Sequence, residues 1–416
     1  MITRRYAWYV LAVLTSLNFV NYVDRMLIVG MYDQFREQFH LSNTQIGALQ
    51  ASFFIVHALL ILPFGWLGDR VDRRTVIAVG AIVWSLATLG TAYALGFATL
   101  ILLRSLVGVG EAAYLPVSNA ILCESFRPDE KARTIACFNI GMFAGACVGL
   151  LIGVQLGFPL AFQVVAAPGI ALGVLALCLR VPARREGAQP VSGIRVGRFL
   201  ADSWRALRYP SVRWMLGAGI LISFTAGGFV AWVPDFMDHS KGLTTREATR
   251  TLFLLIVTSG PLGVFVGGRV ADALYRRFRF GRPITIAISF LLATPCAFGV
   301  IYLPMGASWY VCAWLLNFFL PWYNGPMAAS VDDVVDDEES STAQGGFSAL
   351  IHLVGTGPGS IVVGAAITRW SYETALLFPT FACLLAVPFC LIACARIGRD
   401  MDAREERAGR RAASSP

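Results

Sequence analysis

Charged residues are scarce in this chain: they make up 14% of its 416 residues, whereas 56% are hydrophobic. The mean hydropathy of +0.63 lies well above that of water-soluble globular proteins. A bilayer core of about 30 Å needs roughly 20 apolar residues per helix. The scarcity of charge therefore excludes a soluble globule and predicts an integral membrane protein.

Other absences concern catalysis. The sequence has no nucleophile with a base at a workable spacing, no histidine and carboxylate cluster, and no phosphate-cradling loop or Walker-type motif. Its nine cysteines show no metal-type spacing and are interpreted as small apolar packing residues. We therefore expect neither an enzyme nor an ATP-driven pump, and neither a metal nor a cofactor.

Long apolar stretches recur along the whole sequence, and alternating stretches of the kind that form outer-membrane barrels are absent. The pattern predicts an all-α integral membrane protein with about twelve transmembrane helices. The predicted spans are residues 7–32, 44–68, 74–95, 98–126, 134–157, 160–180, 211–237, 250–275, 284–304, 308–331, 343–367 and 373–396.

The net charge of +8 does not predict a nucleic-acid partner, because the basic residues lie mostly in alternate loops between the spans. By the positive-inside rule this asymmetry places both termini in the cytoplasm. Only Lys131 and Lys241 are lysines among 34 basic residues, a bias that points to a bacterial source and so to the inner membrane.

The longest stretch between spans divides the chain into two sets of six helices. The predicted domains are an N-terminal bundle at 1–182, a central cytoplasmic loop at 183–209, a C-terminal bundle at 210–398 and a cytoplasmic tail at 399–416. Within the loop, Leu200, Trp204 and Leu207 recur at helical spacing. The pattern predicts an interfacial helix on the anionic leaflet, with a solvated linker as the alternative.

An internal repeat links the two halves. Gly65 and Asp69 close the second predicted span before a basic cluster, and Gly268 and Asp272 close the eighth in the same way. Two halves related in this manner predict a substrate site between them near the membrane midplane, and transport by rocking one half against the other.

The stretch GWLGDRVDRR at 65–74 resembles the cytoplasmic loop motif of the major facilitator superfamily. The resemblance implies that Gly65, Asp69, Arg70, Arg73 and Arg74, with Asp272 in the second half, form a cytoplasmic gate. In that family the aspartate caps a helix and pairs with an arginine. One departure is Asp72, where the family usually has glycine, so the turn is expected to be built differently.

Four further segments narrow the resemblance. These are NYVDR at 21–25, RSLVGVGEAAY at 104–114, GGFVAWVPDFM at 227–237 and YNGPM at 323–327. Together they resemble the Spinster-like branch, and the first two also resemble the anion:cation symporter branch. Spinster-like proteins carry lysolipids and sphingolipid phosphates.

Three charges inside predicted spans are singled out: Asp24 in the first span and Arg104 and Glu111 in the fourth. Arg104 and Glu111 are two helical turns apart on one face with Gly108 between them, which leaves room for Asp24 of the first span. Counting two carboxylates against one guanidinium leaves one acid unpaired, and such an acid tends to hold a proton. Arg25 follows Asp24 directly and is expected to face elsewhere. The alternative is an ion pair that only fixes helix packing.

The resemblance agrees with the proton-coupling interpretation. In both candidate branches the acids at the positions of Asp24 and Glu111 are the proposed protonation sites, which implies that Arg104 switches between them. We therefore predict a transporter driven by the proton gradient, working by alternating access as a monomer. Its predicted partners are the lipid bilayer, protons and a solute.

A solute cavity is predicted from polar and aromatic residues of both halves. One wall should carry charge and amides, and the other should be aromatic, which suits an amphipathic molecule with an anionic head. The predicted binding residues are Asn21, Arg25, Arg104, Tyr114, Asn119, Phe224, Trp232, Asn317, Trp322, Tyr323 and Asn324. A lysophospholipid-like solute is the first choice. The alternatives are a proton-coupled organic-anion symporter, a drug exporter and a receptor that does not transport.

Two further patterns remain. Gly141, Gly145, Gly149, Gly153 and Gly157 repeat every fourth residue along the fifth span, which predicts either tight packing or a surface for sliding. The acidic run at 332–339 is expected to be a solvated cytoplasmic loop.

Overall fold

The computed structural model describes residues 3–68, 71–127, 130–181, 207–336 and 340–414. Within these ranges the chain is helical. The helices are α1 Arg4–Leu27, α2 Tyr32–Phe39, α3 Asn43–Gly68, α4 Arg73–Thr91, α5 Phe97–Ser125, α6 Lys131–Leu156, α7 Leu160–Leu177, α8 Pro210–His239, α9 Thr245–Arg277, α10 Gly281–Tyr302, α11 Ala307–Phe319, α12 Asn324–Asp332, α13 Ser340–Ile351, α14 Gly357–Arg369 and α15 Tyr372–Ser414.

The predicted fold class is confirmed. Among the described residues, 10 helical stretches are long and apolar enough to cross a membrane. The first and tenth predicted spans fall outside that set for reasons visible in the sequence. The uncharged part of helix α1 contains Asn18 and Asn21, which lower its hydropathy, and the tenth span divides into α11 and α12.

Several spans are interrupted helices. Pro321, which has no N–H to donate to the preceding turn, lies in a 3-10 turn at Leu320–Tyr323 that joins α11 to α12. A π-helical turn at His352–Thr356 joins α13 to α14. Another 3-10 turn, Ile28–Met31, joins α1 to α2. The first predicted span therefore continues past its expected end as a second short helix.

The described chain forms two compact units that do not follow its two halves. One unit contains Met1–Gly193 together with Val230–Val257 and Ser360–Arg369. The other contains Ile194–Phe229, Thr258–Gly359 and Trp370–Pro416. The domain boundaries expected from the sequence remain a prediction, and the central loop, including Leu200 and Trp204, lies outside the described residues up to position 206.

Helix α1 packs along the glycine face of α6. A Cβ atom built at Gly141, Gly145, Gly149 or Gly153 would come within 3.0 Å of a backbone carbonyl oxygen of the first span. Backbones can approach this closely only where no side chain intervenes. The repeat thus provides tight packing, whereas Gly157 ends α6 with a φ of +65° and serves the following turn.

Each half of the chain has its own ion pair, and the two pairs lie at corresponding helix ends. Arg73 at the start of α4 donates both terminal nitrogens to Glu124 near the end of α5, at 2.6 and 3.1 Å. Arg282 near the start of α10 donates one terminal nitrogen to Asp333 just after α12, and Tyr275 also donates to Asp333. The internal repeat seen in the sequence therefore extends to how these ends are held.

The described part of the acidic run, residues 332–336, is not simply a solvated loop, which corrects the expectation from the sequence for these residues. Residues 337–339 lie outside the described part of the chain. Asp333 is half-buried, and Asp336 is buried and lies near Arg208 and Arg407. The tail residues continue α15 as a helix, and Arg404 donates to the carbonyl oxygens of Asp332 and Asp333. A cation there stabilises the exposed carbonyl end of α12.

Candidate charge-coupling site

Four charged side chains lie together among the apolar helices of the first unit, and they are called the charge-coupling site below. From α1 come Asp24 and Arg25, and from α5 come Arg104 and Glu111. Arg104 donates from NH1 to Oδ2 of Asp24 at 3.2 Å, and Arg25 donates from Nε to Oε2 of Glu111 at 2.6 Å. All four are buried or nearly so: Glu111 is 0% exposed, and the Arg25 side chain is 13% exposed.

The position of Arg25 corrects two expectations from the sequence. Arg25 does not face away from the cluster, because its long side chain curls back to reach Glu111. The charge count is therefore two carboxylates against two guanidiniums, and both acids are paired. Adjacent residues of a helix leave it in different directions at Cβ, but an arginine side chain is long enough to reach back to the face of its neighbour.

Phe53 of α3 lies between the two arginines. Its ring centroid is 4.9 Å from the Arg25 guanidinium carbon and 4.8 Å from that of Arg104, within the range of a cation–π contact. Gly108 makes this approach possible, because a Cβ there would lie 2.8 Å from the carbonyl oxygen of Phe53. The prediction that Gly108 leaves room for a neighbour is confirmed, although the neighbour at that point is α3.

Thr88 of α4 supplies a further hydrogen bond. Its hydroxyl lies 2.7 Å from Oδ1 of Asp24, so that each carboxylate oxygen of Asp24 has a donor. Glu111 differs, since Oε1 is buried and has no hydrogen-bond partner among the described residues. Asn21, one turn before Asp24, likewise has a buried Nδ2 atom without a described acceptor. Glu111 Oε1 is thus the one carboxylate oxygen of the cluster that has no hydrogen-bond donor among the described residues.

The two other binding residues predicted in the first half have different surroundings. Tyr114 packs against Trp84 and Phe138 in the core of the unit and donates its hydroxyl to the carbonyl oxygen of Leu14. It is 1% exposed, so it has no free face for a solute in this conformation, contrary to expectation. Asn119 is half-buried, and its Oδ1 atom has no described donor.

Among the predicted binding residues of the second half, two are buried and four are at least partly exposed. Trp232 is fully buried and donates from Nε1 to the Ser360 carbonyl oxygen at 2.9 Å, so it does not line an open aromatic wall. Trp322 is buried against Phe318 and Phe319. The remaining members, all at least partly exposed, are Phe224, Asn317, Tyr323 and Asn324. For these four a role in binding stays a prediction.

The structure describes only part of the predicted cytoplasmic gate. Asp69 and Arg70 lie outside the described residues, while Gly65 is half-buried in α3. Arg73 holds Glu124 as above. Asp72 replaces the usual glycine by capping α4: its carboxylate accepts from the Arg74 backbone at 3.2 Å and from the Arg74 guanidinium at 2.6 Å. Asp272 is exposed, and its gating role also stays a prediction.

Comparison with known proteins gives the family. The sequence profile described as "Major Facilitator Superfamily" matches residues 14–359, most of the chain. The chain belongs to this superfamily. Its curated relatives include "Protein spinster" of Drosophila melanogaster, 27% identical over 384 residues that cover 87% of this chain and 62% of the fly protein. "Protein spinster homolog 1" of Homo sapiens is 26% identical over 94% of this chain and 78% of its own.

The fold agrees with this membership. A solved structure described as a bacterial homologue of the human lysosomal transporter Spinster, inward-facing and unoccupied, superposes with a TM-score of 0.83. It covers 96% of this chain and 99% of that chain at 19% identity, which establishes the fold. The chain spans about three fifths of the length of the fly Spinster and 64% of the length of "Protein spinster homolog 3" of Danio rerio. The Spinster-like resemblance read from the sequence is confirmed, and the family's members are transporters, not enzymes.

Proposed function

We propose that this protein is a secondary active transporter that couples protons to the movement of an amphipathic or anionic solute by alternating access. The observation that carries the proposal is the buried cluster of Asp24, Arg25, Arg104 and Glu111, together with the unoccupied Oε1 atom of Glu111. Buried charges inside membrane helices are costly and usually mark ion or proton pathways.

The geometry supports a specific coupling step. A proton on Glu111 Oε1 removes the negative charge that holds Arg25, which frees a guanidinium for an anionic head group. Conversely, an anion that takes Arg25 leaves Glu111 buried without its counter-ion, and the carboxylate then favours protonation. Proton and anion would therefore promote each other's binding, which is the reciprocal linkage that coupled transport needs.

A lysophospholipid-like cargo is the favoured solute. Arg25 is the least buried charge of the cluster and also lies over the ring of Tyr22, at 4.7 Å. A phosphate head beside a guanidinium with aromatic surroundings suits an amphipathic anion. The Spinster resemblance points the same way. A small organic anion is the second candidate, because the arginine supplies anion recognition without requiring an acyl chain.

We also place the protein, by proposal, in the inner membrane of a bacterium as a monomer with both termini in the cytoplasm. The support is the distribution of basic residues between the spans, which favours the Arg74 side as the cytoplasmic one.

The test uses purified protein in liposomes that enclose a pH-sensitive dye, under an imposed proton gradient. Lysophosphatidylglycerol, lysophosphatidylethanolamine and benzoate are added separately, and protein-free liposomes measure leakage. We expect one compound to move protons in the unmodified protein. Asp24→Asn and Glu111→Gln should abolish that movement while binding of the compound persists.

The matched control is Glu130→Gln. It removes the charge of an acid just before α6 that pairs with Arg4 at the start of α1, away from the buried cluster. This variant should behave as the unmodified protein. If cargo moves equally fast in the Glu111 and Asp24 variants and without a gradient, the protein is a facilitator. If nothing moves but ligand binds equally to all variants, it is a receptor.

A further inference from the structure

A second charged arrangement lies at the other end of the first unit from Arg74. Arg36 of α2 donates from NH1 and NH2 to the two carboxylate oxygens of Asp235 in α8, at 2.9 and 2.5 Å. Its Nε donates to Asn43 at 2.9 Å, and NH1 also reaches Asp33 at 2.5 Å. Asp33 and Asn43 hold the Arg36 guanidinium in a fixed orientation. This orientation favours a bidentate hydrogen bond to Asp235.

Two aromatic rings pack one turn below this ion pair. Tyr32, four residues before Arg36, lies with its ring centroid 5.4 Å from that of Trp232, which is three residues before Asp235. Both rings are buried. Tyr32, Arg36, Trp232 and Asp235 are called the clasp below. The clasp joins the first half of the chain to the second across 199 residues of sequence.

Helix α14 closes the same end against α3. A Cβ at Gly47 would clash with the Ser360 carbonyl, and one at Gly364 would lie 2.5 Å from the Asn43 carbonyl oxygen. The hydroxyls of Thr44 and Thr368 are 3.5 Å apart. Backbones in such contact leave no passage for a solute between these segments.

The clasp is physically connected to the charge-coupling site. Gln50 of α3 donates from Nε2 to the Tyr32 hydroxyl at 3.0 Å. Phe53, the residue between the two coupling arginines, lies one helical turn further along the same helix. Phe53 and Gln50 thus place α3 in contact with both the two arginines and Tyr32 of the clasp.

We propose that the clasp is the gate that shuts the transport path at the Arg36 end, and that Gln50 links its opening to the protonation state of the charge-coupling site. This inference rests on the proposed function. The bidentate Arg36–Asp235 bond joins α2 to α8 and would be lost when this end opens, so the ion pair favours the closed state. His239 and Asp33 also lie beside Asp235, but Arg36 already donates to both acids, so we assign no cation there.

The experiment measures closure directly. Thr44→Cys and Thr368→Cys are introduced together, and the rate of disulfide formation under mild oxidant is followed by gel mobility. Each single variant reports cross-links to native thiols. We expect the double variant to cross-link, to stop transporting, and to recover with dithiothreitol. Asp235→Asn should slow cross-linking about tenfold or more, because the charged bidentate bond between α2 and α8 is lost and Arg36 keeps Asp33 of its own helix as an ion-pair partner.

Asp238→Asn is the matched control, since Asp238 is one turn further along α8 and bonds Thr245 instead of Arg36. It should cross-link at the unmodified rate. Asp24→Asn should change the cross-linking rate several-fold, and Gln50→Leu should remove that change. Full transport by the cross-linked protein, or unchanged cross-linking in Asp235→Asn, would overturn the gate. If no solute moves at all, the proposed function fails, whereas the cross-linking rates still decide the clasp.

Discussion

Arg25 and Glu111 form a hydrogen-bonded ion pair of 2.6 Å between α1 and α5, deep inside the first unit. Together with Arg104–Asp24 it gives a cluster whose charges balance. Because its two positive and two negative charges are paired, the cluster is stable inside an apolar helix bundle. This pairing also means that adding one proton or one anion unbalances the cluster, so the two ligands can be linked through Arg25.

Removing one partner of this pair should destabilise the protein more than removing both. Arg25→Gln leaves Glu111 buried without a cation, which costs about 3–5 kcal/mol in comparable sites. The double variant Arg25→Gln with Glu111→Gln leaves no unpaired charge and should be close to the unmodified protein in stability. Thermal unfolding in detergent measures both. Equal losses in the single and double variants would show that the pair carries no coupling energy.

Thr88→Val should impair transport through Asp24. The change keeps the volume of the side chain but removes the donor to Oδ1, and an unsatisfied buried acceptor costs about 1–3 kcal/mol. We expect transport to fall about tenfold, which corresponds to roughly 1.4 kcal/mol. Thr91→Val, one turn along α4, loses only a bond to the Ala87 carbonyl and serves as control. Equal transport rates in the two variants would contradict the role of Thr88.

Sequence reasoning found those parts of the site that violate the apolar pattern. Asp24, Arg104 and Glu111 are conspicuous because charge inside a span is rare, and Gly108 between two charges suggested a close approach. Phe53 and Thr88 were missed, since an aromatic ring or a hydroxyl inside a membrane helix looks like ordinary packing. The Arg36–Asp235 pair was missed because no periodicity relates residues 199 apart.

The helices themselves followed from apolar length alone, but their interruptions did not. Two interruptions lie beside a proline, Pro321 within the 3-10 turn and Pro358 just after the π-helical turn. Proline alone does not locate a break, because Pro116 lies inside the continuous helix α5. Such turns depend on how a helix is packed by its neighbours, which one sequence does not display.

The glycine face of α6 should tolerate no side chain. In Gly149→Ala the new Cβ would meet the Val23 carbonyl, so α1 and α6 must separate, at a cost of about 1–3 kcal/mol. Gly268→Ala is the matched control, because nothing lies within 4 Å of a Cβ there and alanine favours a helix. Thermal unfolding in detergent should drop only for Gly149→Ala; equal unfolding temperatures would refute tight packing at this face.

Asp72 should make the start of α4 sensitive to acid. The Arg74 guanidinium, which donates to the carboxylate, lowers the pKa of Asp72 below its ordinary value of 3.8. A lowered folded-state pKa means that the stabilisation is complete above the unfolded value and is lost as the pH falls through the folded one. Asp72→Ala should therefore cost about 0.5–2 kcal/mol at pH 7. The difference from the unmodified protein should shrink below about pH 4.

Thermal unfolding of both proteins between pH 7 and pH 3 checks this. Asp272→Ala is the control, because Asp272 is exposed at the end of α9 and caps no helix start. A difference for Asp72→Ala that stays constant with pH would show that the cap does not depend on the charge.

The most direct test of proton coupling compares two modes of transport in the same liposomes. Net accumulation under a proton gradient needs the proton to bind and leave, whereas exchange of labelled for unlabelled solute needs only the loaded carrier to reorient. We predict that Glu111→Gln abolishes gradient-driven accumulation of the identified solute while exchange continues within a few-fold of the unmodified rate. Accumulation that still follows the proton gradient in Glu111→Gln would contradict the assignment of Glu111 as the coupling acid.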